Sequence, residues 1–412
     1  MKRILLIIVI TISLNTYSQF EINAINVTTN DLVYDTNTDR IYVSIPSSNG
    51  TNGNSIGIIN PNNYSLENTI FIGSEPTILA ISDDGQYIYS GFDGSSTVRR
   101  FNVSTQSADI QFPLGTDGST GSFYAEDIEV MPGQPTTIAV SRRNIGFSPR
   151  HEGVAIFDND VMRPTTTQDH TGSNKIEFTD ASNLFGFNNE TTEFGLRRLS
   201  VNSGGITETN VVNNVLSGFD IDFIYNNNKI YSTEGKVVDT SNNPFVLGQF
   251  VNASGPAVYD TNNNLVCYAS FDFSGNIKFQ RFNPNTFIIQ DNLSISEAFG
   301  TVKNIITCGN DCYAFNSSDN KIVIVKEQNL GLNPFENELN ISVYPNPTTD
   351  YLTIRSKTII KNVQIVNIDG SIIKYLNPLN GKIDLSDLNN GIYFIKIIDE
   401  FNQIVNKKII KA

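Results

Sequence analysis

The sequence has little of what most catalytic sites require. Its 412 residues include two histidines, three cysteines and no tryptophan. It contains no G-x-S-x-G, H-E-x-x-H, C-x-x-C, G-x-G-x-x-G or phosphate-loop pattern, the signatures of common hydrolase, metal, redox and nucleotide sites. The lack of tryptophan also lowers the expectation of glycan binding, which often uses that side chain. The sequence therefore shows no convincing catalytic site.

The two histidines lie in polar sequence that favours loops. His151 or His170 could act as a general base beside Glu152 or Asp169. A solvated imidazole is the simpler interpretation, and we expect both histidines at the surface.

Basic residues are scarce, and their distribution is uneven. The net charge is -14. Residues 339–412 hold nine Lys/Arg and six Asp/Glu, whereas residues 19–338 hold 17 and 36. An acidic body beside a mildly basic tail predicts two domains and argues against nucleic acid as a partner.

Only one apolar run is long enough to suggest a targeting segment. Ile4 to Leu14 follows two basic residues, and Thr16 and Ser18 suit the -3 and -1 positions of signal peptidase. Residues 1–18 are therefore predicted to be a signal peptide. The run is short for a membrane span, and we expect no transmembrane segment elsewhere.

What the sequence does have is a repeat. The letters VYDTN at Val33–Asn37 recur at Val258–Asn262, each time between two short strand patterns. Similar strand pairs with Asn-, Asp- or Gly-rich turns return at intervals of 35 to 50 residues. They start near Asp31, Thr77, Ala125, Lys175, Asp220, Gly255 and Thr301. This pattern predicts an all-β chain with a seven-bladed β-propeller over residues 19–327.

Two details of the repeat make more specific predictions. Tyrosine occurs at one register in five units, at Tyr42, Tyr89, Tyr231, Tyr268 and Tyr313, and we expect these rings to pack between blades. The seventh unit lacks a fourth strand. Phe20–Ala24 belongs to no unit, so we expect it to pair with Ile322–Val325 and close the ring. The second unit, around Leu79–Tyr89, also resembles YVTN-type seven-bladed propellers, a group that includes lactonases.

The tail, residues 339–412, shows about six short strands with turn signals between them, which predicts a small β-sandwich after a linker at 328–338. It closely resembles the type A C-terminal sorting domain of the type IX secretion system. The likeness rests on a Pro-Asn-Pro opening, a Leu-Asn-Asn-Gly-Ile-Tyr-Phe block and a Lys-Lys-Ile-Ile-Lys end. The sorting-signal residues it implies are Pro345, Asn346, Pro347, Asn390, Gly391, Tyr393 and Lys408. The resemblance implies an Ig-like fold, contact with the type IX machinery, and export into the medium or onto the outer-membrane surface.

The predicted ligand site lies in the loops between second and third strands. Ser44–Ser55 in blade one and Ser141–Gly153 in blade three are long, whereas the others are expected to have about four to six residues. The blade-three loop holds Arg142, Arg143, Phe147 and Arg150, which would attract an anionic group of an extracellular ligand. Alternatively, these arginines neutralise neighbouring acidic loops.

Two further patterns leave alternatives open. Asp35-x-Asn37-x-Asp39 begins like a calcium loop, but the repeated turn already explains it, so no cofactor is expected and calcium stays an alternative. Cys308 and Cys312 flank a tight turn and could form a disulfide after export or stay free thiols. Cys267 is predicted to be a small buried residue.

The sequence thus predicts an exported binding protein that takes an unknown glycan or protein ligand. The alternative is a secreted enzyme, a lactonase or a glycan-active hydrolase or lyase. Several acidic or histidine side chains converging on the mouth of the central channel would favour the enzyme, and a broad loop face without them would favour the binder.

Overall fold

A computed structural model of the chain describes residues 19–328, 341–356, 358–368, 370–376, 381–400 and 404–412. The predicted signal peptide, residues 1–18, lies outside the described residues, and so does the predicted linker apart from Gln328. A first compact unit spans Gln19–Gln328. Its last strand ends at Gln328, one residue inside the predicted linker.

The first unit is a seven-bladed β-propeller, as predicted. It contains seven antiparallel four-stranded sheets, and each innermost strand contacts the innermost strands of the two neighbouring blades in a closed cycle. Blades one and two are β2 (Leu32–Asp35), β3 (Arg40–Ile45), β4 (Ser55–Asn60), β5 (Ser65–Phe71) and β6 (Pro76–Ile81), β7 (Tyr87–Phe92), β8 (Thr97–Asn102), β9 (Ser107–Pro113), preceded by β1 (Gln19–Asn26). A single 3-10 helix, Ser47–Asn52, lies between β3 and β4.

The remaining blades follow in chain order. A small hairpin, β10 (Thr116–Asp117) and β11 (Gly121–Ser122), precedes blade three, which is β12 (Tyr124–Val130), β13 (Thr137–Arg143), β14 (His151–Asp158) and β15 (Val161–Met162). Blade four is β16 (Lys175–Asp180), β17 (Asn183–Phe187), β18 (Leu196–Asn202) and β19 (Gly205–Val212). Blade five is β20 (Phe223–Asn226), β21 (Lys229–Ser232), β22 (Lys236–Asp239) and β23 (Phe245–Gln249). Blade six is β24 (Ala257–Asp260), β25 (Leu265–Phe271), β26 (Asn276–Phe282) and β27 (Ile289–Phe299), and blade seven is β28 (Val302–Thr307), β29 (Cys312–Ser317) and β30 (Lys321–Gln328) with β1.

The repeated VYDTN sequence is a turn device. The Asp35 carboxylate is buried and accepts hydrogen bonds from the backbone N–H groups of Asn37 and Thr38 at 3.1 and 3.0 Å. Asp260 accepts the equivalent bonds in blade six. An aspartate that caps the turn in this way satisfies donors that a tight hairpin would otherwise leave unpaired. In blades one and six, one buried aspartate therefore fixes the turn between the first and second strands.

The five tyrosines pack between blades, as predicted. None is more than 1% exposed. The Tyr42 ring lies 6.1 Å from Phe101 of the next blade, and the Tyr313 ring lies 4.8 Å from Phe279 of the preceding one. Their apolar rings fill the space between adjacent sheets, and the hydroxyl groups of Tyr89, Tyr268 and Tyr313 form hydrogen bonds with polar partners.

The N-terminal strand closes the ring as predicted. β1 pairs antiparallel with β30, with Ile22 opposite Val325 and Ala24 opposite Val323. It is the outer strand of blade seven, so the two ends of the propeller sequence share one sheet. This pairing covers an edge that would otherwise present unpaired backbone groups.

Cys308 and Cys312 are joined by a disulfide across the first turn of blade seven, and Cys267 is a buried free thiol. We expect the exported protein to show one alkylated cysteine when denatured without reductant. Intact-mass measurement after alkylation checks this, with a reduced and denatured sample as control. Three alkylated cysteines in the unreduced sample would contradict the bridge.

The described part of the C-terminal unit is a small β-sandwich. One sheet has the order β31 (Ser342–Tyr344), β32 (Tyr351–Arg355), β35 (Lys382–Asp384), and the other has the order β34 (Ile372–Leu376), β33 (Ile360–Val366), β36 (Gly391–Asp399), β37 (Ile404–Lys411). Both sheets contribute to one core, with Leu352 and Ile383 from the first packed against Ile365, Ile395 and Ile409 from the second. Along β32 and β36, more buried residues alternate with more exposed ones, as a two-layer fold requires.

Candidate functional site

The seven inner strands surround an axial cavity with a volume of about 1120 Å³. Its lining comes from residues at or just before the beginning of every inner strand and from the loops between second and third strands in blades two to five. The last residue of β25 in blade six also contributes. The cavity is therefore built on the face that carries these loops and the connections between blades. This is the face predicted to bind a ligand.

Acidic side chains outnumber basic ones around the cavity. Nine acidic and four basic side chains line it. The carboxylates belong to Asp31, Asp93, Glu126, Asp127, Glu129, Glu177, Glu190, Asp220 and Asp222, and the cations to Arg143, Arg150, Lys175 and Lys303. An excess of one charge in a cleft with low-dielectric walls focuses the field and favours ligands of the opposite charge.

Two of these carboxylates link neighbouring blades. Asp31 accepts hydrogen bonds from the backbone N–H of Leu79 in blade two at 2.7 Å and from the side-chain amide of Asn304 in blade seven at 2.5 Å. Asp127 of blade three accepts the backbone N–H of Ile176 in blade four at 2.8 Å. Burial raises the pKa of Asp127 to about 7. Their hydrogen bonds give these two residues a structural role in the ring.

Glu129 on β12 and Glu177 on β16 line the cavity on adjacent inner strands. Glu129 lies two residues after Asp127, and Glu177 lies two residues after Lys175. Because side chains alternate along a strand, each glutamate points to the same side of its strand as that charged residue, which lies at the open end, or mouth, of the cavity. Burial, and then repulsion by neighbouring carboxylates, raise the pKa of both groups well above the ordinary range. Within the described part of the chain, neither group has a hydrogen-bond or salt-bridge partner.

Lys175 shows that the mouth stabilises a cation. Its Nζ atom lies 3.2 Å from the Asp222 carboxylate. Burial works to lower the pKa of Lys175, but Asp222, Asp127 and Glu126 outweigh it and raise that pKa above its usual value. The attraction of the surrounding carboxylates therefore exceeds the free-energy cost of removing water from the Lys175 ammonium group.

The structure separates the predicted arginine cluster. Arg142 is buried, donates hydrogen bonds to the carbonyl oxygens of Gly153 and Leu114, and does not line the cavity. Arg143 and Arg150 do line it, but each is engaged by acidic neighbours. The reason is that β13 continues to Arg143, and successive residues of a strand point to opposite faces.

Each of the two remaining arginines has an acidic partner on an adjacent blade, and Arg143 has a second one on its own blade. Arg143 pairs with Asp93 at 2.5 Å and with Glu126 at 3.0 Å. Arg150 pairs with Glu190 of blade four at 2.8 Å. These contacts match the alternative interpretation, in which the arginines neutralise neighbouring acidic loops. The exposed Phe147 ring lies 5.0 Å from His170 rather than among the guanidinium groups.

The expected loop lengths were partly wrong. The blade-four loop runs from Asn188 to Gly195, longer than the four to six residues expected, and it supplies Asn189 and Glu190 to the cavity. The long loop of blade one folds into the 3-10 helix and does not line the cavity. Asn188 stabilises the start of its own loop by accepting the backbone N–H of Thr191 at 3.0 Å. This role could be inferred from the sequence only if the ends of β17 and β18 were known.

An unsatisfied acceptor and an apolar rim complete the site. Asn174 is 3% exposed and lines the cavity, yet its side-chain carbonyl oxygen has no hydrogen-bond partner. Phe219 and Phe271 also line the cavity and are 58% and 39% exposed. Phe219 packs edge-on against Phe194 at 5.2 Å. The mouth thus offers both hydrogen-bond acceptors and apolar contact area.

The prediction that both histidines are solvated is wrong for His151. That residue is 1% exposed, and its Nε2 atom accepts the backbone N–H of Ser173 at 3.2 Å. Burial lowers the pKa of His151 to about 3. It starts β14 and does not line the cavity, whereas His170 is exposed. The polar residues around His151 in the sequence gave no indication that the third blade buries this position.

The oxygen atoms of the calcium-like sequence are occupied by the hairpin. Asp35 caps the turn, and Asp39 accepts hydrogen bonds from the Tyr34 hydroxyl at 2.8 Å and from the Asn62 amide at 2.6 Å. Among the residues that the structure describes, no group of three His, Cys, Asp or Glu side chains is arranged to hold a metal ion.

The sorting-signal segments predicted in the tail meet at one corner of the sandwich. The Asn346 amide donates to the Lys408 carbonyl oxygen at 2.8 Å, and its side-chain oxygen accepts the backbone N–H of Ile410 at 2.9 Å. Gly391 pairs with Lys411, and Tyr393 pairs with Ile409, along β36 and β37. The opening, the middle block and the end of the tail therefore form one continuous structure.

The profile of the secretion system C-terminal sorting domain matches residues 342–412. The tail is a type IX sorting domain. Its presence supports export to the cell surface or medium through type IX secretion, and with it an interaction with that machinery. No helix among the described residues is long and apolar enough to cross a membrane.

Solved structures resemble the propeller in fold. A β-propeller domain of Cps50 (Swd1) from Myceliophteria thermophila aligns with a TM-score of 0.58 and 11% identity, over 75% of this chain and 100% of that one. Hydrazine synthase of Kuenenia stuttgartiensis aligns with a TM-score of 0.56 and 11% identity, over 74% of this chain and 96% of that one. Both likenesses concern the fold alone. The sequence matches no curated protein.

Proposed function

We propose that this protein, once exported, is a binding protein whose propeller holds a positively charged segment of another protein at the channel mouth. The observation that carries the proposal is the acidic cavity, lined by nine acidic and four basic side chains, on the loop-bearing face. Loops on a rigid scaffold are the usual place for recognition. The charge excess reverses the expected sign of the ligand, because the predicted cationic patch is engaged by acidic neighbours.

The rim favours a protein segment over a glycan. Phe219 and Phe271 line the cavity with exposed rings, and tryptophan, the side chain that sugar-binding sites often use, is absent. Protein interfaces combine apolar anchors with a polar surround and direct hydrogen bonds. A basic segment would place aliphatic or aromatic groups on the rim and cationic groups in the cavity.

The test compares matched peptides on the full mature chain. An array of basic, neutral and acidic peptides of equal length should show retention of basic peptides only. Phe219→Ala combined with Phe271→Ala should weaken the best binder at least fivefold, and Phe245→Ala, an exposed residue on outer strand β23, should not. Equal retention of acidic and basic peptides would contradict the proposal.

A second candidate function, hydrolysis of a glycan or lactone, is favoured by one observation. Glu129 and Glu177 are two carboxyl groups in one cavity, both with raised pKa values. Such a pair can divide the roles of proton donor and base. Incubation with panels of oligosaccharides and lactones, followed by product analysis, tests this function. Product formation that disappears in Glu129→Gln would establish it, and no turnover by the folded mature chain would dismiss it.

A further inference from the structure

We infer that the channel contains a subsite for one ammonium or guanidinium group between Glu129 and Glu177. The inference rests on the proposed function and deepens it, because it assigns the anchoring side chain of the ligand as lysine or arginine. The two glutamates lie on adjacent inner strands and both line the cavity.

The surroundings of the two glutamates make the pair unusual. In four blades, the side chain of one Asp or Asn on the inner strand or just before it accepts the backbone N–H of the next residue. These residues are Asp31, Asp127, Asp222 and Asn304, in blades one, three, five and seven. The shared hydrogen bond gives a common reference position for aligning the four inner-strand sequences. In that alignment Val33, Ile224 and Ile306 stand where Glu129 stands in blade three. Carboxyl groups at a position that is otherwise apolar carry a desolvation cost that a bound cation would offset.

A second observation points to the same ligand chemistry. The side-chain oxygen of Asn174 is a buried acceptor without a partner, and Asn174 lines the same cavity immediately before Lys175. Ammonium and guanidinium groups carry three and five N–H donors and no acceptor. A cavity that offers two carboxyl groups and an unused amide oxygen complements donors of this kind.

The site fits an organic cation better than a divalent metal. Across the described ranges of the chain, no set of three metal-ligating side chains is assembled. Calcium takes six to eight oxygen ligands and magnesium about six. A lysine or arginine side chain needs fewer contacts, and its long aliphatic stem can pass the apolar part of the mouth.

Binding should be linked to protons. Glu129 is faced by Glu177, Asp127, Asp222 and Asp31, and the ammonium group of Lys175 lies at the same mouth. These carboxylates and burial favour the protonated form of the pair. A cation placed between the two groups favours the ionised form, so binding releases protons. Affinity should therefore increase as pH rises from 5.5 to 8.

The experiment is titration calorimetry on the full mature chain with acetyl-Gly-Gly-Lys-Gly-Gly-amide, its arginine counterpart and its norleucine counterpart. The lysine and arginine peptides should bind, at least tenfold more tightly at pH 8 than at pH 5.5, and the norleucine peptide should not. Heats in buffers of different ionisation enthalpy should show proton release. At pH 8, Glu129→Gln and Glu177→Gln should each weaken binding at least tenfold.

Asp160→Asn is the matched control, because it removes one carboxylate charge from an exposed position on blade three, beside β15. It should leave affinity unchanged. The glutamine variants should keep the melting temperature at pH 8 or raise it, since each removes a carboxylate whose ionisation burial disfavours, and this shows that they fold. Glutamine variants that fold and bind normally would overturn the subsite while leaving the proposed function standing. No binding of any basic peptide, here or on the array, would overturn both.

Discussion

Removing residues 339–412 is expected to abolish export, leaving the propeller in the cell at close to its normal amount. The reason is that the sorting domain lies wholly within the deleted segment. Immunoblots of medium, surface and periplasmic fractions check the result, with a periplasmic marker as control for lysis. Propeller in the medium or on the surface at the normal level would contradict this role of the tail.

A point variant tests which part of the tail matters. Asn346→Ala removes both side-chain hydrogen bonds to the last strand, to Lys408 and to Ile410. Since this amide joins the opening of the tail to its end, we expect export to fall at least fivefold. Asn406→Ala, on the same strand but exposed, should be exported normally. Normal export of Asn346→Ala would show that the corner is not what the machinery reads.

Deleting β1, residues 19–26, is expected to lower the melting temperature of the propeller by about 10 °C or more, or to cause aggregation. The deletion removes a full strand paired with β30 and the contacts of Phe20 and Ile22 with the core. Net hydrogen bonds of about 1 kcal/mol each and two apolar side chains of roughly 2 kcal/mol each make this loss large. Scanning calorimetry of the purified chain, with light scattering for aggregation, measures it. An unchanged melting curve would contradict the closed ring.

The single change Arg281→Ala tests the same closure without shortening the chain. Arg281 is buried, pairs with Asp291 at 2.7 Å and with Glu327 of β30 at 2.5 Å, and lies 4.8 Å from the Phe20 ring. Breaking a buried ion pair by removing one partner costs about 3–5 kcal/mol. Lys278→Ala, an exposed residue of the same strand, is the control. Equal melting temperatures of the two variants would count against this network.

Local patterns were enough to predict the fold. Asp35 and Asp260 stand in identical five-residue turns, and the tyrosine register fixes the second strand of most blades without knowledge of the partner blade. The closing strand was predictable because one unit lacked a strand and one segment lacked a unit. The sorting domain was recognised because three separated motifs occurred in their expected order.

The site was harder to predict from the sequence than the fold, because it depends on the arrangement of seven blades in space. Glu129 and Glu177 are 48 positions apart in the sequence and meet only because β12 and β16 are neighbours in the ring. Arg142 and Arg143 are adjacent in sequence but separate in space, since the strand continues through both. Loop length and arginine count therefore pointed to the face that holds the cavity, but they gave no sign that most of its charged lining is acidic.

Site-specific photo-crosslinking of the exported protein to a bound basic peptide would show which face of the propeller holds the partner. The photoreactive residue p-benzoylphenylalanine would replace Phe219 on the channel rim or Thr36 in the first hairpin on the opposite face. We expect crosslinks from position 219 and none from position 36. Crosslinks from position 36 alone would place the partner on the other face of the propeller and contradict binding at the channel mouth.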